Sequence, residues 1–430
     1  MDHRIILWLL PGFLLLPFSS YSQEKTWTLQ DCLDYAMENN ISLQRSRNAY
    51  LSGLEDTEQA RAALFPSLSA SSSQGVSAAP SSQSTGYNGS YGLNADMTLY
   101  SGGKLRRAVK AQEVQNQRDS LSWEENALDI RIAIVQAYMQ CLYAAESVTV
   151  SESTVEASRA QRDRAEQMWK AGSVSKVDFA QLESQLYSDE YQATAARTNL
   201  DNTLLTLKQL LELGIDEEIV LSGADATEEE VLRLLPGKEE VYERALAYLP
   251  EIASSQLAVT SASIAEEQAK AGYLPTLGLS AGVGTSSRSG TGNAFTRQIT
   301  DGLNTSAGLT LSIPILNGRR NKTAVNKARI ALADSKLDAL SAEKSVLREV
   351  ESTYLDAVSS QAQYVAATQK EKYALQSYEL TDEQFRVGMK NTVELITAKN
   401  ELLSARLSRL QSKYMALLNL QLLDIYQGIA

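Results

Sequence analysis

Apolar residues recur along this chain at two different periods, and the change of period marks where elements begin and end. Leu128, Ile132, Val135, Met139 and Leu142 follow one another at alternating steps of four and three, the seam of a coiled-coil helix. Leu347, Val350, Tyr354 and Val358 keep helical spacing in a second segment, less strictly. Glycine and proline set the lengths. Neither occurs over the 68 residues Lys104–Ala171 or the 69 residues Arg319–Val387. Each run stops at one glycine, Gly172 or Gly388, and second clean runs follow, Ser173–Leu213 and Met389–Gln427. A helix of that size is about 100 Å long, far beyond the three or four turns of an ordinary globular helix. Two long coiled-coil hairpins are predicted, each turning at a glycine that takes a left-handed or otherwise strained conformation.

Elsewhere the period is two. From Tyr87 to Leu99, odd-numbered residues are mostly apolar or small and alternate with Asn88, Ser90, Gly92, Asn94, Asp96 and Thr98. Leu277, Leu279, Ala281 and Val283 alternate with Gly278, Ser280 and Gly282, and Ala307, Leu309, Leu311, Ile313 and Ile315 follow the same rule. One apolar face and one small-polar face make a strand. Strands are predicted at about 66–77, 87–100, 275–285 and 303–316, the Ser-rich first being the weakest signal. Their lengths suit tilted transmembrane β-strands. Ala78–Gly86 and Thr285–Asp301 read as the hairpin loops.

The chain repeats itself. Arg61-Ala-Ala-Leu-Phe-Pro-Ser-Leu68 returns as Lys270-Ala-Gly-Tyr-Leu-Pro-Thr-Leu277, and Gly172, Val177 and Asp178 return 216 positions later as Gly388, Val393 and Glu394. Each half reads helix, strand, strand, long helix, tight turn, helix. The halves are assigned to 23–213 and 241–430, with an acidic linker at 214–240. Residues 1–22, with Arg4, an apolar run from Ile5 to Phe18 and small residues before a cut after Ser22, are expected to be an export signal. Four strands cannot close a barrel, which needs about eight, and an open sheet in lipid leaves edge N–H and C=O groups unpaired. Several chains must therefore share one barrel.

Composition narrows the chemistry. The 430 residues carry 40 basic and 52 acidic side chains, a net charge of −12, so phosphate binding gains nothing and nucleic acid is excluded as a partner. The single histidine is His3, inside the expected export signal. No His-based triad, general base or metal site can then operate in the mature chain, and neither an enzyme nor a cofactor is expected. Cys32 and Cys141 read as isolated buried thiols, with a bridge between them left open. Gly282-Val-Gly284 is followed by no helix and no Lys-Ser/Thr, so it is strand rather than a phosphate loop. Gly102-Gly103 and Gly318-Arg319 read as strand-to-helix hinges.

Taken in order, the duplicated plan resembles the outer-membrane efflux protein family of tolerance-to-colicin-like channels. The likeness rests on the Phe65-Pro66 and Leu274-Pro275 starts of strands and on two tip motifs, Trp169-Lys-Ala-Gly-Ser-Val-Ser-Lys-Val-Asp178 and Phe385-Arg-Val-Gly-Met-Lys-Asn-Thr-Val-Glu394. The resemblance implies a homotrimer in the Gram-negative outer membrane. Its 12-stranded transmembrane β-barrel, four strands per chain, would be continuous with a periplasmic α-helical coiled-coil barrel. It further implies a passive exit duct for an inner-membrane pump (resistance-nodulation-division, ABC or another class), joined through a periplasmic adaptor protein. Carried over by position, Gly172, Ser173, Val174 and Ser175 with Gly388, Met389, Lys390 and Asn391 become adaptor contacts. Asp178, Phe385, Lys390 and Glu394 become the gate. Within it, Lys390–Asp178 is a candidate latch, non-bidentate because a lysine stands where the family has arginine. Phe385 replaces a hydrogen-bonding tyrosine, and Thr397 replaces a second acidic residue. The bland role of Asp178 and Glu394 is to begin their helices. Against the duct stands a periplasm-spanning coiled coil that anchors in the membrane without a pore.

Overall fold

A computed structural model describes residues 26–79, 84–223 and 226–429; the expected export signal lies outside them. In chain order the elements are β1 (Thr26–Trp27), α1 (Leu29–Asn39), α2 (Ile41–Ala62), β2 (Ser67–Ala79), β3 (Ser84–Ser101), α3 (Lys104–Lys170) and α4 (Lys176–Leu210). They continue with β4 (Val220–Leu221), α5 (Glu228–Val231), α6 (Lys238–Tyr248), α7 (Pro250–Ala271), β5 (Thr276–Arg288), α8 (Phe295–Asp301), β6 (Asn304–Ser312), α9 (Arg320–Arg386) and α10 (Thr392–Tyr426). The duplication is exact in length where it matters most. α3 and α9 have 67 residues each, and α4 and α10 have 35. Both strand-to-helix hinges use left-handed backbone: Gly102 and Gly103 at φ 64° and 77°, Gly318 and Arg319 at 59° and 67°. In the first repeat a Cβ on Gly102 would also meet the Leu274 Cβ at 2.8 Å, so glycine is required twice over.

The four long strands form one antiparallel sheet in the order β2-β3-β5-β6, in which the hairpins of the two repeats lie side by side. Register turns the alternation of single strands into two coherent faces. Leu93 stands opposite Ala70 and Val283, Met97 opposite Leu279, and Leu279 opposite Leu309. The other face carries Ser69 against Asn94, Asn94 against Gly282 and Gly282 against Ser306. Over most of the described sheet both faces are open: Leu68, Leu93 and Leu309 are exposed, and every residue of β6 is exposed. The outer edges of β2 and β6 have no partner strand among the described residues.

Several boundaries move. β6 ends at Ser312, short of the predicted 316, because Pro314 has no N–H to give the ladder. The alternation through Leu99 breaks at a bulge between Thr98 and Tyr100, which brings Tyr100 rather than Leu99 opposite Leu277. The segment read as a loop at Ala78–Gly86 is mostly strand, leaving only residues 80–83 outside the description. Thr285–Asp301 is not all loop either: β5 runs to Arg288, and α8 packs back on the sheet through a 6.4 Å edge contact between Phe295 and Tyr91.

The main cores sit midway along the long helices. Trp27, Cys32, Ile134, Tyr138, Cys141, Leu142, Leu207 and Leu211 form one, and Val135, Val241, Ala245, Val346, Val350 and Leu423 a second beside it. Both cysteines are buried thiols, and no disulfide joins them. The predicted seam from Leu128 to Leu142 packs in these two cores. In α9 the buried stripe is Val346, Val350, Thr353, Ala357 and Ser360, while Leu347 and Val358 face outward. The acidic linker is also more than a connector. β4 pairs in parallel with β1, and Val231 is fully buried against Tyr364 and Ala416. Its acidic composition masked Leu221, half-buried against the first core, and the buried Val231, which hold it down.

Candidate gate at the helix tips

Each long hairpin turns at a glycine with φ 76°. The turns share one hydrogen-bonding scheme: Ser173 N–H donates to Met168 O and Gly172 N–H to Trp169 O, and Met389 and Gly388 repeat this with Gln384 and Phe385. Such a closure satisfies the last carbonyls of the incoming helix and needs a left-handed residue. No heavy atom lies within 4 Å of a Cβ built at Gly172 or Gly388. Dihedral angle, not space, selects glycine here.

The outgoing helices start with caps. Ser175 Oγ accepts the Asp178 N–H at 3.1 Å, and Asn391 Oδ1 accepts the Glu394 N–H at 2.9 Å. Glu394 closes the reciprocal half by accepting the Asn391 N–H at 3.1 Å. Asp178 and Glu394 therefore occupy the same capping position in the two repeats. Both carboxyls are held below their ordinary range, Asp178 by hydrogen bonds from Ser175 and Thr392, Glu394 by Lys390 and the Asn391 backbone.

The expected Lys390–Asp178 latch is not formed within the chain. Lys390 Nζ donates to Glu394 one turn ahead on α10, a pairing favoured by i,i+4 spacing. Asp178 is reached instead by Thr392, whose hydroxyl donates at 3.0 Å. Phe385, placed among the gate residues by position, is buried with Ala165, Leu182 and Leu395 and packs the tip. Trp169 stacks on Phe179 at 5.4 Å and 10°. Val177, Val387, Met389 and Val393 stand exposed at the tip, interspersed with exposed Ser173, Ser175, Lys176 and Asn391. Farther in, Gln161 donates to the Tyr378 hydroxyl at 2.9 Å and Arg164 to Asp382 at 3.4 Å, tying α3 to α9. Three residues escaped the sequence reading: Ser158, Asp189 and Lys399, all buried and in mutual contact between α3, α4 and α10. Their signal was a charge on an apolar seam. Asp189 follows Leu182 and Leu186 at helical spacing, and Lys399 lies between Leu395 and Leu402.

Among the described residues no cluster of His, Cys, Asp or Glu can hold a metal, and no helix is long and apolar enough to cross a membrane. The tip residues are engaged in turn closure, helix capping and packing.

The profile of the family described as outer membrane efflux protein matches residues 32–212 and 241–427, one segment per repeat. The alkaline protease secretion protein AprF of Pseudomonas aeruginosa is 25% identical over 99% of this chain and 89% of its own length. The outer membrane protein TolC of Escherichia coli is 25% identical over 96% of this chain and 84% of its own. Among solved structures, the transmembrane channel CusC superposes with a TM-score of 0.80 at 18% identity, covering 96% of both chains. The outer membrane protein VceC of Vibrio cholerae gives 0.76 at 15% identity, over 93% of this chain and 96% of its own.

Proposed function

The chain belongs to the outer membrane efflux protein family, and from that premise we propose that it is the outer-membrane exit duct of a tripartite efflux or type I secretion system. It conducts substrates passively from an inner-membrane pump across periplasm and outer membrane. The observation that carries this reading is the sheet: four strands, two coherent faces and two edges that no other described strand pairs, on helices about 100 Å long. Three chains bring twelve strands, pair every edge, turn Leu93, Met97 and Leu279 to lipid and leave Ser, Gly and Asn facing water. A pore-less periplasmic rod uses the same helices but has no need of a wet sheet face.

At the far end, the exposed Val387, Met389 and Val393 beside the two glycine turns offer an apolar surface to a periplasmic adaptor. Gating is a rearrangement of the coiled helices there. Extraction in mild detergent followed by negative-stain imaging tests the reading. Three-fold particles with a stain-filled axis and a helical portion of about 100 Å are expected. Monomeric or solid rods would leave the sheet edges unexplained and end the duct assignment.

A further inference from the structure

The tip pair expected to latch the closed state is not made within the chain, yet a cation–carboxylate pair does join the two hairpins deeper in. Lys399 Nζ on α10 donates to Asp189 Oδ2 on α4 at 2.5 Å and to Ser158 Oγ on α3 at 2.6 Å. Ser158 Oγ donates in turn to the same carboxylate oxygen at 2.5 Å, and Gln185 Nε2 fills Asp189 Oδ1 at 2.9 Å. Side-chain exposure is 4% for Lys399 and 3% for Asp189. No other ion pair among the described residues buries both members so far. The cluster lies two turns inside α10 and between three and four turns inside α3 and α4.

From this the geometry points to Lys399, Asp189 and Ser158 as the latch that holds the two tip hairpins of a chain together in the closed duct. The inference rests on the duct reading. Its argument is topological first: α3 and α4 form the first hairpin and α10 belongs to the second, so a movement that parts the hairpins at this level must pull the ammonium from both oxygens. It is electrostatic second. A buried pair with every partner in place is stable against loss of either member, because the member left behind is an uncompensated charge out of water. Burial also pushes the Lys399 amine below its ordinary value, with Asp189 opposing. Once a partner is missing, the group left behind changes its protonation or draws water between the helices; either way the ionic tie across the hairpins is gone, and entering water favours the parted arrangement. By contrast the half-exposed pair of Lys390, in the turn before α10, and Glu394, in its first turn, lies within the second hairpin and ties nothing across to the first.

The test is single-channel conductance of the purified protein in planar bilayers, with assembly checked by detergent-stable oligomer and circular dichroism. Lys399→Met leaves Asp189 buried alone and is expected to raise conductance several-fold over wild type. Lys399→Met with Asp189→Leu removes both charges at similar volume and is expected to return it to near the wild-type level. Ser158→Ala, which keeps both charges and the fold, covers the case in which Lys399→Met does not assemble; a smaller rise of the same sign is expected. Assembled Lys399→Met at wild-type conductance overturns the latch, as does a double variant no tighter than the single. If Lys399→Met fails to assemble, unchanged conductance in Ser158→Ala overturns it. A protein that assembles but conducts nothing in any form, at any applied voltage, overturns the duct reading itself and the latch with it.

Discussion

Thr392 and Asp178 are joined at 3.0 Å across the two repeats, the hydroxyl at the first turn of α10 donating to the carboxylate at the first turn of α4. Thr392 is almost wholly buried, so its hydroxyl is committed to that partner. Thr392→Val keeps the shape and removes the donor. A cost of about 1 kcal/mol is expected, concentrated at the tips. Amide hydrogen exchange in the first turns of α10 should quicken about fivefold, with the cores around Ile134 and Val350 unchanged. Equal exchange in both proteins would show that the bond does not hold the tips.

The turn glycines should fail for conformational reasons alone. Gly388→Ala places a Cβ in open space at φ 76°, so the expected cost is the left-handed penalty of about 1–2 kcal/mol without any clash. Gly388→Asn should cost less, since asparagine tolerates that region. Thermal melting of the two variants checks the order. Equal melting temperatures would mean that the turn relaxes out of the left-handed region.

Both turns were legible because absence is a strong signal: 68 residues without glycine or proline admit little but helix, and the single glycine that ends each run names its turn. The sheet was legible in its period but not at its ends. Ser- and Gly-rich segments read as loop, yet small polar residues suit a strand whose face meets water, so β2 and β5 outran their predicted limits. The bulge at Thr98/Tyr100 leaves no trace in an alternating pattern. In the gate, position puts Asp178 and Glu394 at helix starts, where they are, and sets Lys390 against Asp178, whereas within the chain Lys390 meets Glu394. Which of two nearby acids a flexible lysine meets depends on helix phase at the turn. Asp189 and Lys399 stand 210 positions apart, so neither points to the other in the sequence; only their places in apolar registers, after Leu182 and Leu186 and between Leu395 and Leu402, mark them as buried.

Acid should act oppositely on two parts of the molecule. Glu125, Asp129 and Glu251 have carboxyls pushed up, chiefly by burial and then by neighbouring carboxylates. A raised carboxyl binds its proton more readily folded than unfolded, so its destabilising effect is lost as pH falls through the raised value toward the ordinary 3.8–4.5. At the tips Asp178 and Glu394 are depressed, and what they contribute persists until pH falls below that ordinary range. As pH falls from neutral toward the ordinary carboxylate range, thermal stability should rise; below that range it should fall, with the tips exchanging first. A monotonic fall from pH 7 would contradict the raised set.

Which sheet face meets lipid can be decided by two neighbouring residues. Leu279 and Ser280 are consecutive in the central strand β5 and point to opposite faces. Leu279 lies between Met97 and Leu309, and Ser280 between Asp96 and Gly308. If the first face is outward, Leu279→Arg sets a charge in hydrocarbon at a cost of about 2–4 kcal/mol near the midplane. Detergent-stable oligomer in the outer-membrane fraction should then fall sharply. Ser280→Arg sets the same charge in a water-filled lumen that already holds Asp96; oligomer yield should stay at the wild-type level while ion selectivity shifts toward anions. Reversal of the two results would turn the sheet inside out. Equal loss in both would mean that neither face borders water, the expectation for a membrane anchor with no channel through it.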